Sequence, residues 1–460
     1  MQISLRDFRC FHSTEFIDVR NVNVIVGENS AGKTSFLSAI RFVFNLFNSS
    51  TDASFNRYPY FLGSYEDIAH FRGGRFGRAS EFTFALRGQL DKGELEKSRR
   101  RYEHRQSGKP RRIDIPDLYN LEISFENYRS QPRLKRLAFR CGRYRFSIEL
   151  TLKGISAKIK TPTMSNEHEA PATRMIGIDP LLFDLSYVRY ILSDARFTIQ
   201  DVVKGDSDNK TKNADIIQEL TDLLAIYDAS HAQIRHDVYA TAPVRTEPRR
   251  IYNPSDISPT TESDNAPILL AQMSAFDKEK WSKIKISLEA FGQASGLFKA
   301  IDIRHLGRSK TGPFQISFSI GKVKSSIVDV GYGVSQVLPI VYEILVRESR
   351  SVFLFQQPEV HLHPKAQAEL ATFMTASAFH WNHRIFIETH SDYLIDRIRM
   401  DVRDSSPSRS GDTNILYLKR NELDTTIHQL NIDENGNILN APEGYREFFL
   451  REKARSIGIA

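Results

Sequence analysis

The chain has 460 residues, 40% of them hydrophobic and 26% charged, a composition typical of a folded protein with enough core for two or three domains. Its two cysteines, Cys10 and Cys141, exclude a disulfide framework and a Cys/His zinc motif. The amino terminus does not resemble a secretory signal and no apolar run could span a bilayer, so we expect a cytoplasmic protein without membrane contact. The net charge of +7 favours acidic partners only weakly.

The first predicted elements are a strand over residues 22–26 and an amphipathic helix over residues 36–47, which flank a loop bracketed by glycines. The loop and its edges, GENSAGKTS (residues 27–35), match the phosphate-loop pattern in the strand–loop–helix context that the pattern requires. Backbone N–H groups of such a loop, and the positive end of the helix, bind phosphate oxygens. The predicted nucleotide-binding residues are Gly27, Glu28, Asn29, Ser30, Ala31, Gly32, Lys33, Thr34 and Ser35.

Two residues of this phosphate loop have specific predicted roles. Lys33 is expected to contact the β and γ phosphates, and the Thr34 hydroxyl is expected to be a ligand of Mg²⁺. The sequence contains no Asn-Lys-x-Asp motif that would recognise guanine, so ATP is the favoured nucleotide. The expected cofactors are therefore ATP and Mg²⁺.

The middle of the chain is rich in predicted strands. Alternation of period two predicts strands over residues 81–88, 120–127 and 143–154, and the charged segment 92–114 between the first two is predicted to be an exposed loop. Basic and aromatic residues interleave over residues 129–146, which suits either contacts with a nucleic-acid backbone or a solvated sheet face. Nucleic acid is kept as a candidate partner.

The second half of the chain is predicted to begin with helices and then to alternate. A helical pattern runs from Asp179 to about Asp237 around a polar spacer at residues 204–213, and another helix is predicted over residues 280–297. Predicted strands and helices then follow one another, which implies a parallel sheet with its site at the carboxyl ends of the strands. The strands are 314–321, 325–331, 351–355 and 384–390, and the helices are 335–349, 364–379 and 392–400.

Four segments of the chain together resemble a known family. GENSAGKTS, DVGYGVSQVLPI, FLFQQPEVHLHP and IETHSDYLIDRIR, in this order, resemble the ABC-type ATPase heads of the RecF, SMC and OLD group, in particular AAA-family proteins of bacterial antiphage defence systems such as PARIS and Septu. The resemblance covers the first fifty residues and roughly residues 239–398. It implies an α/β fold with a mixed or parallel sheet, an antiparallel β subdomain and a helical insertion.

This resemblance also gives a predicted division of the chain. The expected parts are an N-terminal ATPase lobe with the phosphate loop and the β subdomain (1–160), a helical insertion (161–237), a signature-bearing lobe (238–350), the remaining ATPase core (351–445) and a tail (446–460).

The resemblance implies a second set of ATP contacts. Gly333, Ser335 and Gln336 fall in the signature motif, which in such heads faces the ATP bound by a second copy in a head-to-tail dimer or higher oligomer. Considered alone, the same residues could be a glycine turn that caps a helix at Ser335. His390 falls at the switch-histidine position near the γ-phosphate, although a lone histidine is more often structural.

The most unusual feature is the pair of amides before "PE". In the resembling heads this strand ends in two acids, one that holds magnesium through water and one that activates the attacking water, whereas this chain has Gln356 and Gln357. An amide oxygen can accept a hydrogen bond from a metal-bound water but cannot take a proton. Thr34 and Gln356 are the predicted metal site, and Gln357 occupies the catalytic position.

Three interpretations of the amides stay open. The site could hold ATP as a clamp with little hydrolysis, it could be inactive, or another carboxylate could have taken over the chemistry. The third interpretation is favoured slightly, with Glu388 and Glu359 as candidates that would act beside His390.

The sequence thus predicts a slow ATPase that dimerises or oligomerises around ATP. By resemblance, it would serve as the sensor or scaffold of an antiphage defence complex with a separate effector, a TOPRIM-like or HNH nuclease or a toxin. OLD proteins carry a TOPRIM nuclease after the ATPase, whereas about sixty residues follow the last matched segment here. The alternatives are a RecF-like DNA-repair ATPase and a non-hydrolysing scaffold clamped by ATP.

Overall fold

The computed structural model describes most of the chain. The described residues are 1–48, 54–74, 77–103, 117–151, 154–171, 188–194, 196, 210–243, 247–256, 265–347, 350–405, 411–442, 445 and 455. Apart from residue 455, the predicted tail 446–460 lies outside them, as do residues 104–114 of the predicted loop and most of the polar spacer 204–213.

Twenty-one strands are found in the described residues. In chain order they are β1 (Gln2–Phe8), β2 (Phe11–Ser13), β3 (Ile17–Asp18), β4 (Val22–Gly27), β5 (Asn56–Arg57), β6 (Tyr60–Phe61), β7 (Glu81–Gln89), β8 (Leu118–Tyr128), β9 (Gln131–Cys141), β10 (Tyr144–Thr151), β11 (Gly154–Lys160), β12 (His168–Pro171), β13 (Val238–Thr241), β14 (Ala300–His305), β15 (Phe314–Ile320), β16 (Val323–Ser326), β17 (Val352–Gln356), β18 (Arg384–Glu388), β19 (Thr413–Asn421), β20 (Asp424–Ile432) and β21 (Ile438–Leu439).

The helices of the described residues are distributed along the whole chain. They are α1 (Lys33–Leu46), α2 (Tyr65–Ile68), α3 (Lys92–Glu103), α4 (Lys210–Ile234), α5 (Ala266–Phe276), α6 (Lys278–Ser295), α7 (Tyr332–Val346), α8 (Pro364–Trp381) and α9 (Asp392–Asp404). None of the helices so described is long and apolar enough to cross a membrane.

A nine-stranded antiparallel sheet forms one layer, in the order β12-β11-β10-β9-β8-β7-β1-β2 with β3 beside β1. Its strands alternate as the sequence predicts. On β8, for example, Tyr119, Leu121, Ile123 and Phe125 are buried, while the residues between them are less so. The buried face packs against α4, where the ring of Tyr227 meets the edges of Phe139 and Phe146.

A seven-stranded mixed sheet carries the phosphate loop, in the order β13-β17-β18-β4-β19-β20-β21. The first five strands are parallel and the last two are antiparallel. All five residues of β17 are buried, as expected for a parallel strand covered on both faces. On β4, Val24 packs into the core that contains α7, and Ile25 packs into the core that contains the antiparallel sheet.

The predicted fold class is confirmed, because the structure combines a mixed sheet, an antiparallel sheet and a long helix in an α/β arrangement. The predicted strand–helix alternation after residue 350 is also present, as β17, α8, β18 and α9. The division of the chain into five parts remains a prediction.

The predicted exposed loop over residues 92–114 is wrong in its first half, which forms α3. Its charged residues are good helix formers, and the charges reflect a surface helix rather than a loop. Arg99 forms an ion pair with Asp222 at 3.1 Å, and the Tyr102 hydroxyl donates to Asp228 at 2.7 Å. These contacts fix α3 on α4, at positions that the local pattern could not reveal.

Other boundaries also differ from the sequence predictions. The predicted strand 325–331 ends at Ser326, whose carbonyl accepts hydrogen bonds from Asp329 N and Val330 N and so closes a turn. Apolar alternation misled the prediction because Ile327 and Val330 are buried within that turn. In addition, α4 begins at Lys210, inside the predicted polar spacer.

Candidate functional site

The phosphate loop joins β4 to α1 at one end of the mixed sheet. Gly27 and Gly32 have φ angles of 151° and 92°, in the region that favours glycine. A Cβ atom at Gly27 would collide with the Leu418 carbonyl on β19, and one at Gly32 would collide with the Cys10 sulfur. Both glycines are therefore required by the close approach of neighbouring elements as well as by the turn.

Lys33 is the first residue of α1 and points back over the loop. Its Nζ donates to the carbonyls of Gly27 and Glu28, at 3.0 and 2.8 Å. Burial lowers the pKa of Lys33, and the charge of Glu388 partly opposes this shift. The ammonium group therefore sits at the loop, held by carbonyl groups that phosphate oxygens could replace.

A cavity of about 460 Å³ opens beside the phosphate loop. Part of the predicted phosphate loop lines it, together with three of the predicted catalytic residues, Gln357, Glu388 and His390. Its lining is formed by Arg9, Cys10, Asn29, Ser30, Gly32, Lys33, Thr34, Ser35, Asp67, Phe71, Arg78, Gln357, Glu388, His390, Arg420 and Leu423.

Three side chains from separate parts of the chain meet at the base of this cavity. The Thr34 hydroxyl donates to Glu388 Oε2 at 3.3 Å, and the Gln356 amide nitrogen donates to Thr34 Oγ1 at 3.1 Å. The same amide nitrogen donates to Glu388 Oε2 at 3.3 Å. Thr34, Gln356 and Glu388 thus form a closed triangle of hydrogen bonds, which we call the base triangle.

Strand register explains the base triangle. Gln356 on β17 is the direct partner of Glu388 on β18, and Glu388 is in turn the partner of Ile25 on β4, just before the phosphate loop. Parallel neighbours in register extend their side chains to the same face, so the amide and the carboxylate are brought together. β17 and β18 are therefore neighbours in the sheet, with Gln356 and Glu388 side by side at its carboxyl end.

Glu388 is the buried acid of the cavity. Burial raises the pKa of its carboxyl, while the hydrogen bond from Gln356 and the positive charge of Lys33 oppose the shift. Among the described lining residues the other acid is Asp67, whose Oδ2 accepts from the backbone N and the hydroxyl of Ser64. Glu388 is therefore the carboxylate that faces the phosphate loop.

Glu359, the other carboxylate candidate, has a different position. Its Oε1 accepts hydrogen bonds from the Thr389 hydroxyl at 2.7 Å and from His390 N at 3.0 Å. It is buried and is not among the residues that line the cavity. The structure thus places Glu359 behind the loop that follows β18, where it fixes the backbone that carries His390.

Gln357 and His390 both reach the cavity. Gln357 has a φ angle of 43° and donates its backbone N–H to the Glu388 carbonyl at 2.7 Å. His390 is exposed on one side. Partial desolvation of its ring against the cavity wall, together with the positive charge of Lys33, lowers the pKa of the ring. A ring with a lowered pKa is neutral near pH 7 and can either donate or accept a hydrogen bond.

The signature residues lie elsewhere, at the start of α7. Gly333, Ser335 and Gln336 are buried and do not line the cavity of the phosphate loop. The Ser335 hydroxyl donates to the Tyr332 carbonyl at 2.9 Å. The alternative that Ser335 caps the helix is wrong, because the helix begins three residues earlier, at Tyr332, after Gly331.

Sequence reasoning missed one wall of the cavity. It consists of three arginines and two apolar side chains, from the β1–β2 turn, from positions 71 and 78, and from the end of β19 with the turn that follows it. No motif marks these positions, because three separate segments converge only in the folded chain. The members of this wall are Arg9, Phe71, Arg78, Arg420 and Leu423.

The base triangle suits a hard cation. A hydroxyl and a buried carboxylate offer the oxygen ligands that Mg²⁺ prefers, and they lie at the foot of a loop suited to phosphates. Among the described residues, no group of three or more His, Cys, Asp or Glu side chains could hold a metal ion, so a cation here would depend on the hydroxyl, the carboxylate and the nucleotide's own phosphates. Magnesium thus fits this site through Thr34 and Glu388.

The family comparison gives one match. The model of the AAA ATPase domain matches residues 1–132 and 149–395, well over half of the chain. No curated protein sequence matches the chain.

Several solved structures resemble the fold at low sequence identity. An SMC head bound to the C-winged helix domain of ScpA is 11% identical, covers 94% of this chain and 98% of that chain, and has a TM-score of 0.45. An Smc head with an extended coiled coil bound to the C-terminal domain of ScpA, derived from Pyrococcus furiosus, is 11% identical with coverage of 99% and 98% and a TM-score of 0.42. The SMC head domain from Thermotoga maritima is 10% identical, with coverage of 93% and 97% and a TM-score of 0.37.

Proposed function

The chain belongs to the AAA ATPase domain family, and on that premise we propose that it binds ATP with Mg²⁺ in the cavity beside the phosphate loop and hydrolyses it slowly. The observation that carries the proposal is the juxtaposition of Lys33, Thr34 and Glu388 at this cavity. They supply a cation for phosphates, a hydroxyl ligand and a buried acid within one site.

The residues of the site have distinct roles in this proposal. Lys33 exchanges its bonds to the loop carbonyls for bonds to phosphate oxygens, and the loop N–H groups bind the same phosphates. Magnesium, when bound, neutralises charge on the phosphate oxygens. His390 lines the same cavity and would hydrogen-bond near the terminal phosphate.

The arginine wall gives the cavity its second binding surface. Arg9, Arg78 and Arg420 bring three cations to the cavity that the phosphate loop lines, and Phe71 offers a partly exposed ring with Arg78 over it, 5.0 Å from the centroid. Cations stabilise a triphosphate, and an aromatic ring suits a flat base. This wall therefore extends the site from the phosphates toward the rest of the nucleotide.

Slow hydrolysis follows from the amides. Gln357 reaches the cavity where an acid would activate water, and its amide cannot accept a proton. With this group neutral, ATP remains bound for longer than at a site with an acid in the same place.

Calorimetry and phosphate release test the proposal together. Wild-type protein is expected to bind ATP more tightly than GTP and to release phosphate slowly in the presence of Mg²⁺, with Lys33→Ala as the blank. Absence of ATP binding by folded wild-type protein would overturn the proposal.

The wider role is proposed on the resemblance of the ordered motifs. ATP would draw two copies together head to tail, with the start of α7 of one copy against the nucleotide of the other, and the assembly would act as the sensor or scaffold of an antiphage defence complex. The effector would be a separate TOPRIM-like or HNH nuclease or a toxin. The neighbouring genes provide a direct check: an effector gene supports defence, and a recombination neighbourhood supports RecF-like repair.

Nucleic-acid binding is the second candidate and has one specific observation in its favour. Arg136, Arg140, Arg145 and Lys158 surround a depression of about 420 Å³ on the outer face of the antiparallel sheet. Two of these cations lie close to carboxylates, Arg136 at 3.7 Å from Glu149 and Arg145 at 3.3 Å from Glu167. Binding of double-stranded DNA that weakens steeply with salt would support this candidate.

A further inference from the structure

The position where the resembling heads have a magnesium-holding acid is occupied here by Gln356, and the direction of its amide is informative. Its nitrogen lies 3.1 Å from Thr34 Oγ1 and 3.3 Å from Glu388 Oε2. The NH₂ group of the amide is thus directed toward Glu388, whose Oε2 accepts from it. Gln356 therefore presents donors to the base triangle, and a donor cannot ligate a cation.

The negative charge that Gln356 lacks on β17 is carried by Glu388 on the adjacent strand, β18. β18 lies between β17 and β4, and Glu388 is the in-register neighbour of Gln356 on the side of the phosphate loop. Its Oε2 accepts a hydrogen bond from Thr34, the hydroxyl predicted to ligate the metal. The carboxylate thus reaches the hydroxyl from β18 rather than from β17.

We propose that Glu388 supplies the carboxylate that holds Mg²⁺ beside the Thr34 hydroxyl, and that Gln356 is a positioning residue that fixes this carboxylate. The assignment rests on the proposed function, because it concerns the same nucleotide site. It gives Glu388 a role different from that of a general base, and it changes the role of Gln356 from a metal ligand to a donor that orients the ligand.

Two observations support this assignment over the general-base role. Thr34 and Gln356 both donate hydrogen bonds to the same carboxylate oxygen, Oε2 of Glu388. These two bonds hold that oxygen at the Thr34 hydroxyl rather than at a water. Glu388 is also 5% exposed, where an unpaired charge is costly, and a divalent cation would pair with that charge.

The test measures how much Mg²⁺ is required for nucleotide binding, with a fluorescent methylanthraniloyl-ATP probe titrated with and without chelator. Glu388→Gln keeps the size of the side chain and removes its charge. It is expected to raise the half-saturating Mg²⁺ concentration by at least about 10–100-fold, the loss that removal of a group supporting a metal ligand already causes. Probe binding in chelator is measured for each protein as its metal-free reference. The matched control is Glu434→Gln, at an exposed turn position, with no change expected.

A charge exchange sharpens the test. The double variant Glu388→Gln/Gln356→Glu moves the carboxylate from β18 to β17 and is expected to recover most of the magnesium affinity that the single variant lacks. Electron paramagnetic resonance of Mn²⁺ with ATP reports the same affinities independently of hydrolysis.

The outcomes separate this assignment from the proposed function. If Glu388→Gln binds Mg²⁺ like wild type while phosphate release falls, Glu388 is a general base and the assignment is overturned. Failure of the double variant to recover magnesium affinity also overturns it. If wild type binds no probe under any condition, the nucleotide site itself is wrong.

Should Glu388→Gln fail to fold, the single variant Gln356→Glu keeps the assignment testable. It places a second carboxylate beside Glu388, where like charges repel and a divalent cation relieves the repulsion. Mg²⁺ alone is expected to raise the melting temperature of this variant more than that of wild type. An equal effect on both proteins would overturn the assignment.

Discussion

The cavity beside the phosphate loop and the start of α7 both carry residues with predicted roles toward ATP, but they differ in what one chain provides. At the cavity, Lys33, Thr34, Glu388 and His390 converge from three elements and open onto a shared space. At the start of α7, the hydroxyl of Ser335 bonds to its own helix.

This difference indicates which part of the function a single chain can perform. A site with a cation, a hydroxyl and an acid around one cavity can bind a nucleotide by itself. The signature residues do not line that cavity, and their contact with ATP is proposed to come from a second copy. Substitutions can therefore disable one region while sparing the other.

The largest expected effect comes from breaking the cavity side. Lys33→Ala removes the cation at the loop, and each charge-assisted hydrogen bond to a phosphate contributes about 1.5–3 kcal/mol. ATP affinity is expected to fall by roughly 10- to 100-fold or more for each such hydrogen bond that is removed, and phosphate release is expected to stop. Calorimetry measures the decrease, and Lys322→Ala, at an exposed turn between β15 and β16, is the matched control. Unchanged ATP affinity would contradict the assignment of the phosphate loop.

The second-largest expected effect is an increase in turnover when the cavity is given the proton acceptor that it lacks. Gln357→Glu places a proton acceptor in the cavity, and turnover is expected to rise by at least about tenfold, part of the 10²–10⁴-fold that a general base contributes. Single-turnover phosphate release measures the rise. Gln89→Glu, at an exposed position of β7, controls for the added charge. A fall in turnover would mean that the amide itself is needed for the chemistry.

A smaller effect is expected from breaking the α7 side. Tyr332 begins α7 and is 51% exposed, so Tyr332→Arg adds bulk and charge to the face that would meet a second copy. Self-association in ATP is expected to weaken by about tenfold or more, as when an interface aromatic is removed, while ATP binding by the monomer stays intact. Sedimentation with and without ATP measures both states. Tyr190→Arg, at a tyrosine of 49% exposure, is the control, and equal oligomers for the two variants would argue against this interface.

The smallest effect on turnover is expected from a change at Glu359, the candidate carboxylate that does not line the cavity. Glu359→Gln keeps an oxygen that can accept from Thr389 and His390, so it is expected to cost about 1 kcal/mol of stability. Turnover is expected to fall far less than the 10²–10⁴-fold that marks loss of a general base. Thermal melting and phosphate release measure the two quantities. A fall of that full size would return Glu359 to the catalytic site.

The sequence alone determined the elements whose signals are local. The phosphate loop joins a strand and a helix that are adjacent in the chain, so its glycines, Lys33 and Thr34 could be assigned from spacing. The alternating strands β17 and β18 with helices α8 and α9 were predicted for the same reason, since periodicity is a property of neighbouring residues. The prediction of a loop in place of α3 was wrong because it relied on charge density instead of on the periodicity of the residues.

Only the tertiary structure decided which distant residues share the site. Gln356 and Glu388 are 32 positions apart in the chain and meet because β17 and β18 pair in register, and strand order is not a local property. The same holds for the arginine wall, whose residues come from three separate segments of the chain. Glu359, only two residues beyond Gln357, was as plausible in sequence as Glu388, but the turn after β17 directs its carboxylate behind the site.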